Sequence, residues 1–129
     1  MWQYIFFPAI FMKEDVGYSV RVPSLPGCFS QGDNLRHATE MAGEAIGLML
    51  EGVAPKDYPE PVMPSMDELN EGDVIVAVPF DKTAYDRKYN SGSVRRNVSL
   101  PKWLDTLASE NNLSLSTVLQ KGLRSTLNV

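Results

Sequence analysis

Cysteine and histidine are almost missing from this chain. One Cys, Cys28, and one His, His37, exclude an intramolecular disulfide and a zinc site built from those ligands, and a reduced, intracellular setting is expected. Long apolar runs are lacking too. The N-terminal MWQYIFFPAIF has no leading basic residues, is interrupted by Pro8 and gives way at once to Lys13, Glu14 and Asp15. It reads as neither a signal peptide nor a membrane span, and a cytoplasmic protein is expected. A third absence concerns acids. The segments that read as strands, WQYIFF, GYSVRV, CFSQG and VIVAVPF, contain no Asp or Glu, whereas a two-metal nuclease needs several carboxylates converging from strands and a helix. No catalytic residue, metal or cofactor is therefore expected.

What the chain does contain is an ordinary globular mixture, 43% hydrophobic and 22% charged over 129 residues, enough for one domain or two small ones. The net charge of −4 conceals an asymmetry. Residues 1–91 carry seven Lys/Arg against fourteen Asp/Glu, a net of −7, while residues 92–129 carry five against two, a net of +3. An acidic body fits a cationic protein partner, and a basic C-terminal part fits a polyanion.

The N-terminal part reads as α+β. Residues 2–7 and 17–22 carry strand patterns, with KEDVG as the turn between them. PSLPG bends the chain into a third strand, CFSQG. From Asn34 to Glu51 the apolar residues Leu35, Ala38, Met41, Ala42, Ala45, Leu48 and Met49 follow helical spacing, with Asp33 or Asn34 as N-cap and Gly52 as the stop. Gly43 and Gly47, one turn apart, imply close packing of that helix onto the sheet. Four prolines among acids in residues 53–73 predict an extended surface connection. VIVAVPF, at 74–80, then reads as a strand buried on both faces or nearly so, and TAYDRKYN as one or two helical turns.

After Ser91-Gly92 a second pattern begins. SVRRNVSLP alternates imperfectly as a strand, with Val94, Val98 and Leu100 on one side and Arg95, Asn97 and Ser99 on the other; Arg96 stands where an apolar residue is expected. Pro101 opens a helix with Leu104, Leu107 and Ala108 inward, Asn111-Asn112 ends it, and Ser114 caps another from Leu115 to Leu127. A strand and two short helices bury too little to stand alone, so a second copy is expected to complete the core.

VRRNVSLPKWLDTLASENNLSLSTVLQKGL resembles the ribbon-helix-helix module of dimeric repressors. The resemblance implies that paired strands enter the DNA major groove with Arg95, Asn97 and Ser99 facing base edges and Arg96 beside them. It also implies that Ser114, Leu115 and Ser116 hold a phosphate at a helix N-terminus. GYSVRVPSLPGCFSQGDNLRHATEMAGEAIGLML, with the later strand VIVAVP, resembles the HicB antitoxin family. The joint resemblance implies an N-terminal partial ribonuclease-H-like β-β-β-α-β domain, residues 1–90, and a C-terminal ribbon-helix-helix (β-α-α) dimerisation and DNA-binding module, residues 91–129. The implied function is to neutralise a HicA-type mRNA-cleaving ribonuclease toxin and to repress transcription at operator DNA, as a homodimer with further pairing into tetramers left open. Glu14, Asp15, Asp33, Glu40 and Glu44 are the expected toxin-facing acids. Two other readings stay open: a stand-alone ribbon-helix-helix regulator whose N-terminal domain senses a ligand, and a hydrolase with Cys28 as nucleophile and His37 as base.

Overall fold

The computed structural model describes residues 4–129, so Trp2 and Gln3, at the start of the first expected strand, lie outside the described residues. The chain divides into two compact units, 1–92 and 93–129. Together they give an α+β fold of one four-stranded antiparallel sheet and four helices.

In the first unit the order is β1 (Tyr4–Lys13), β2 (Tyr18–Arg21), β3 (Phe29–Gly32), α1 (Leu35–Leu50), β4 (Val74–Asp81) and α2 (Lys82–Tyr89). The β-β-β-α-β succession is as expected, but β1 runs well past residue 7, through AIFMK. Pro8 does not stop it. β2 pairs with β1 only at Ile10–Lys13, while β4 pairs along Tyr4–Phe11, so at position 8 one side of β1 is open and the missing N–H has a place to face. In the spatial order β3-β2-β1-β4, β4 is an edge strand. The expectation that it is buried on both faces is wrong. Val78 and Phe80 point into the core while Ala77 and Pro79 are exposed; an unbroken apolar run hides such alternation because both faces read as hydrophobic.

One sheet face carries the core. Phe7, Ala9, Phe11, Val20, Val78 and Phe80 meet Ala38, Ala42, Ile46 and Leu50 of α1. The buried stripe of α1 is thus an i, i+4 ladder rotated from the expected face: Leu35, Leu48 and Met49 are exposed, and Ile46 and Leu50 take their place. Two alanines at the ladder's start let the helix approach the phenylalanines of β1, and large side chains there would hold it off. Asn34 is the N-cap, its side chain accepting from the His37 amide at 2.9 Å, and Gly52 follows the C-cap at φ +80°.

The two helical glycines serve different neighbours. A Cβ on Gly43 would lie 3.5 Å from the Pro79 carbonyl oxygen, an ordinary contact with the sheet, whereas one on Gly47 would fall 2.3 Å from the Tyr85 ring of α2. Close packing onto the sheet therefore accounts for neither as a steric need. Gly47 makes room for α2, and the stack Tyr58, Phe80, Tyr85, Tyr89, with successive ring centroids 6.3, 5.8 and 4.8 Å apart, runs beneath it.

The connection 53–73 is not simply extended. It contains single-turn helices at Pro55–Asp57 and Met66–Glu68, the latter with a capping box between Ser65 and Glu68. It is also fastened to β2 and the turn after it. The Val62 amide donates to Ser24 Oγ at 3.0 Å, and Arg21 Nη2 donates to the Glu68 carbonyl at 2.8 Å.

The second unit holds α3 (Lys102–Glu110) and α4 (Leu115–Leu127), with no buried residue in either. The strand expected near 94–100 is not formed: residues 91–101 have no regular secondary structure. A strand exists through hydrogen bonds to a neighbour, and this unit supplies no second strand of its own.

The glycine pair gives a stability test. Gly47→Ala is expected to lose about 1–3 kcal/mol by overpacking against Tyr85, whereas Gly43→Ala is expected to gain about 0.5–1 kcal/mol from helix propensity. Urea unfolding midpoints of the two variants check both signs.

Candidate partner and nucleic-acid surfaces

The five expected toxin-facing acids fall into two groups. Glu14 and Asp15 lie in the β1–β2 turn and Asp33 in the β3–α1 turn. These turns touch: a Cβ on Gly17, which sits at φ +76°, would strike the Gly32 carbonyl oxygen at 2.0 Å and the Asp33 Cα at 2.9 Å. Gly17 therefore brings three carboxylates to one end of the sheet. Glu14 accepts from the Ser19 hydroxyl at 2.8 Å. Glu40 and Glu44 stand apart on α1, and both have cationic neighbours. Glu40 accepts from Arg36 Nε at 3.4 Å, and Glu44 from Lys88 Nζ of α2 at 2.6 Å.

Glu44 is thus a fastening for α2, a role its sequence position does not reveal, because Lys88 is 44 residues away. The hydrogen bond from Lys88, with a smaller contribution from Tyr89, holds the Glu44 carboxyl below the ordinary glutamate range, and the same bond raises Lys88. Within α2, Lys82 bonds Asp86, lowering the carboxyl and raising the amine. Beside these pairs lies a cleft of about 410 Å³ bordered by Leu50, Tyr58, Phe80 and Tyr85.

Cys28 and His37 do not form a nucleophile and base. The thiol is buried, which raises its pKa and keeps it protonated. The His37 ring accepts at Nδ1 from the Asp33 amide at 3.0 Å. The Asp33 carboxylate is 3.7 Å from that nitrogen. Asp81, the one carboxylate on a strand among the described residues, caps α2 by accepting from the Ala84 amide at 3.2 Å. No group of three or more His, Cys, Asp or Glu among the described residues is placed to hold a metal ion, and no described helix is long and apolar enough to cross a membrane.

In the second unit Arg95, Arg96, Asn97 and Ser99 are all exposed on the irregular segment before α3. Ser114 caps α4, its Oγ accepting from the Thr117 amide and hydroxyl at 3.4 and 3.1 Å, with the Ser116 hydroxyl 3.3 Å away. The first-turn amides of α4, including those of Leu115 and Ser116, have no acceptor within the helix by its geometry. Leu104 and Leu107, expected inward, are exposed and Ala108 is half-buried, while Val118, Leu119, Leu123 and Leu127 on α4 are exposed as well. The unit shows solvent an apolar face with a basic segment in front of it.

An acidic α+β body with fastened acids and a buried thiol, followed by a helical unit with an uncovered apolar face, defines a binding protein. The family described as HicB_like antitoxin of bacterial toxin-antitoxin system matches residues 6–122, and the chain belongs to it. A 14.9 kDa protein from the rep-hol intergenic region of Haemophilus phage HP1 is 45% identical over 51 residues, spanning 40% of this chain and 38% of that protein. A solved toxin-antitoxin complex from Streptococcus pneumoniae contains a chain similar in fold, with 20% identity, coverage of 95% of this chain and 99% of that one, and a TM-score of 0.53. The crystal structure of the Burkholderia pseudomallei antitoxin HicB shares 27% identity over 96% of this chain and 97% of its own, with a TM-score of 0.47.

The sign of the Glu44 shift fixes a pH effect. A carboxyl whose folded pKa is depressed stabilises the fold fully above its unfolded pKa, about 4.3, and that contribution is lost as pH falls through the folded value. Wild type is expected to lose stability more steeply than Glu44→Gln on acidification below the ordinary glutamate range. Urea midpoints followed downward from neutral pH compare the slopes.

Proposed function

We propose that this antitoxin neutralises a HicA-type mRNA-cleaving ribonuclease through residues 1–90 and binds operator DNA as a homodimer through residues 91–129. The observation that carries the DNA half is the second unit itself. It exposes the apolar residues of both helices next to an unpaired basic segment, and one symmetric copy would cover the first and pair the second. Two such segments side by side make the antiparallel ribbon of a ribbon-helix-helix dimer, of a width the major groove admits. Arg95 is then suited to guanine, Asn97 to adenine, and Ser99 to a short polar contact, with Arg96 adding charge at the backbone. Ser114, Leu115 and Ser116 would hold a phosphate through the helix-start amides and hydroxyls.

For the toxin half, the support is the net −7 of residues 1–91 on a β-β-β-α-β body, read as a reduced ribonuclease-H-like fold that has no catalytic carboxylates. A ribonuclease that grips RNA phosphates is basic around its site, and an acidic partner is drawn to that surface and competes with RNA for it. Glu14, Asp15 and Asp33, gathered at one end of the sheet, contribute to this field, with Glu40 and Glu44 along α1. The Streptococcus pneumoniae relative, solved as a toxin-antitoxin complex, agrees with such a partner.

Two experiments test the proposal. Co-expression should restore growth to cells made toxic by the product of the small reading frame beside this gene; continued toxicity refutes the neutralising half. Arg95→Ala with Asn97→Ala should weaken operator binding, each contact being worth about 1–3 kcal/mol, while growth rescue persists. Loss of both activities together would assign that segment to dimerisation alone.

A further inference from the structure

Within the first unit, large apolar side chains stand out in solvent on the connection between α1 and β4. Val62, Met63 and Met66 are 61%, 64% and 79% exposed within five residues, and Phe29 of β3 is 68% exposed. Hydrogen bonds link the two segments. Phe29 is the register partner of Arg21, and Arg21 holds the carbonyl of Glu68, two residues beyond Met66, while Ser24 holds the backbone of Val62.

This exposure is not that of a loose loop. Pro64 is buried, the Ser65–Glu68 capping box closes the turn that begins at Met66, and Pro59, Pro61 and Pro64 restrict the backbone in the unfolded chain as well. A segment held in place that presents methionine, valine and phenylalanine outward is prepared for a contact, because its ordering cost has already been met in folding. Flexible methionines suit a surface that must mould to a partner, and contiguous exposed apolar groups rimmed by polar ones mark interaction sites.

Charge identifies the occupant. Residues 57–73 contain six Asp or Glu and no Lys or Arg. Two of the acids, Glu68 and Asp73, are engaged locally by the amides of Ser65 and Asn70. Asp67 directly follows Met66 and Glu71 lies five residues beyond it, both exposed, in a sign that repels nucleic acid and a second acidic copy of this unit alike.

We propose that the face formed by Phe29, Val62, Met63 and Met66, rimmed by Asp67 and Glu71, is where the antitoxin docks a basic RNA-binding protein, the toxin. The assignment rests on the neutralisation reading above and adds a location to it. The apolar group supplies the desolvated centre of the interface and the two acids its charged rim, while Glu14, Asp15 and Asp33 act at longer range as a steering field. Because all these side chains are exposed, their substitution is expected to leave the fold intact.

The test uses the full-length antitoxin and the purified product of the adjacent small reading frame, with affinity read by titration calorimetry at two salt concentrations. Met63→Ser with Met66→Ser should weaken binding about tenfold or more, as loss of a central apolar anchor does. Asp67→Lys with Glu71→Lys should weaken it and flatten its salt dependence. Asp15→Lys with Asp33→Lys, the comparison pair, should weaken binding less than the connection variants and mainly at the lower salt concentration. Wild-type affinity in both connection variants, with loss in the comparison pair, overturns this location and leaves the antitoxin reading standing. Failure of the wild-type protein to bind overturns both. A change of oligomeric state in the connection variants, seen by sedimentation without loss of toxin affinity, makes the face a self-contact and overturns the proposal.

Discussion

The close seating of α1 on one face of the sheet is the interaction on which the rest of the first unit depends. Ala38 and Ala42 bring the helix axis near the rings of Phe7 and Phe11, and Ile46 and Leu50 carry the contact on toward Phe80. The sheet has only four strands, and this one helix covers only one of its faces. Ile10, on the opposite face of β1, is nevertheless fully buried and stands apart from the main core. It is paired with Arg21, the residue that holds the connection at Glu68. The proline-stiffened connection is fastened to β2 and the turn after it through Arg21 and Ser24, and its own apolar side chains are exposed.

A complementary constraint governs residues 93–129. No large apolar side chain there is buried, and α3 and α4 are short helices of nine and thirteen residues. Helices of this length draw their stability from packing of an apolar face more than from propensity. The apolar stripes of these two are uncovered. On the proposed reading, a missing second copy accounts for this and for the absent strand. One symmetric contact supplies both the second half of the core and the hydrogen bonds of the ribbon.

How much of this the sequence disclosed depended on whether a feature was local. The helix from Leu115 to Leu127, with Ser114 as cap, was legible to the residue because cap and periodicity sit within one stretch, and the turn at Gly17 and the stop at Gly52 were legible for the same reason. The face of α1 was misread because Leu35, Leu48 and Met49 are as hydrophobic as the residues that are buried, and periodicity alone does not fix the phase of so apolar a helix. β4 was misread because an edge strand whose outer face is also apolar carries no alternation. Gly47 needed Tyr85, and Glu44 needed Lys88, to be understood, and both partners lie more than 35 residues away. At the candidate surfaces the segments read as strands lack acids, but β4 runs one residue further than VIVAVPF and ends on Asp81. The outward-facing Val62, Met63 and Met66 were hidden inside a stretch whose prolines and acids read as a plain connection.

The division of charge gives the two units different relations to concentration. An acidic body meets a basic partner through a field that acts before contact, so that step is governed by ionic strength and by the partner's abundance. The helical unit, as proposed, must first find its own copy, because half a ribbon presents half the base contacts and an uncovered apolar face. Folding and association of such a unit are linked, and the fraction in DNA-binding form rises with protomer concentration. On the proposed reading, pairing about a two-fold axis presents Arg95 and Asn97 once from each copy, so the DNA expected is an inverted repeat whose half-site spacing follows from the width of the ribbon. On that reading, dimerisation itself assembles the surface that recognises DNA, so repression would follow the protein's own abundance without a small-molecule ligand.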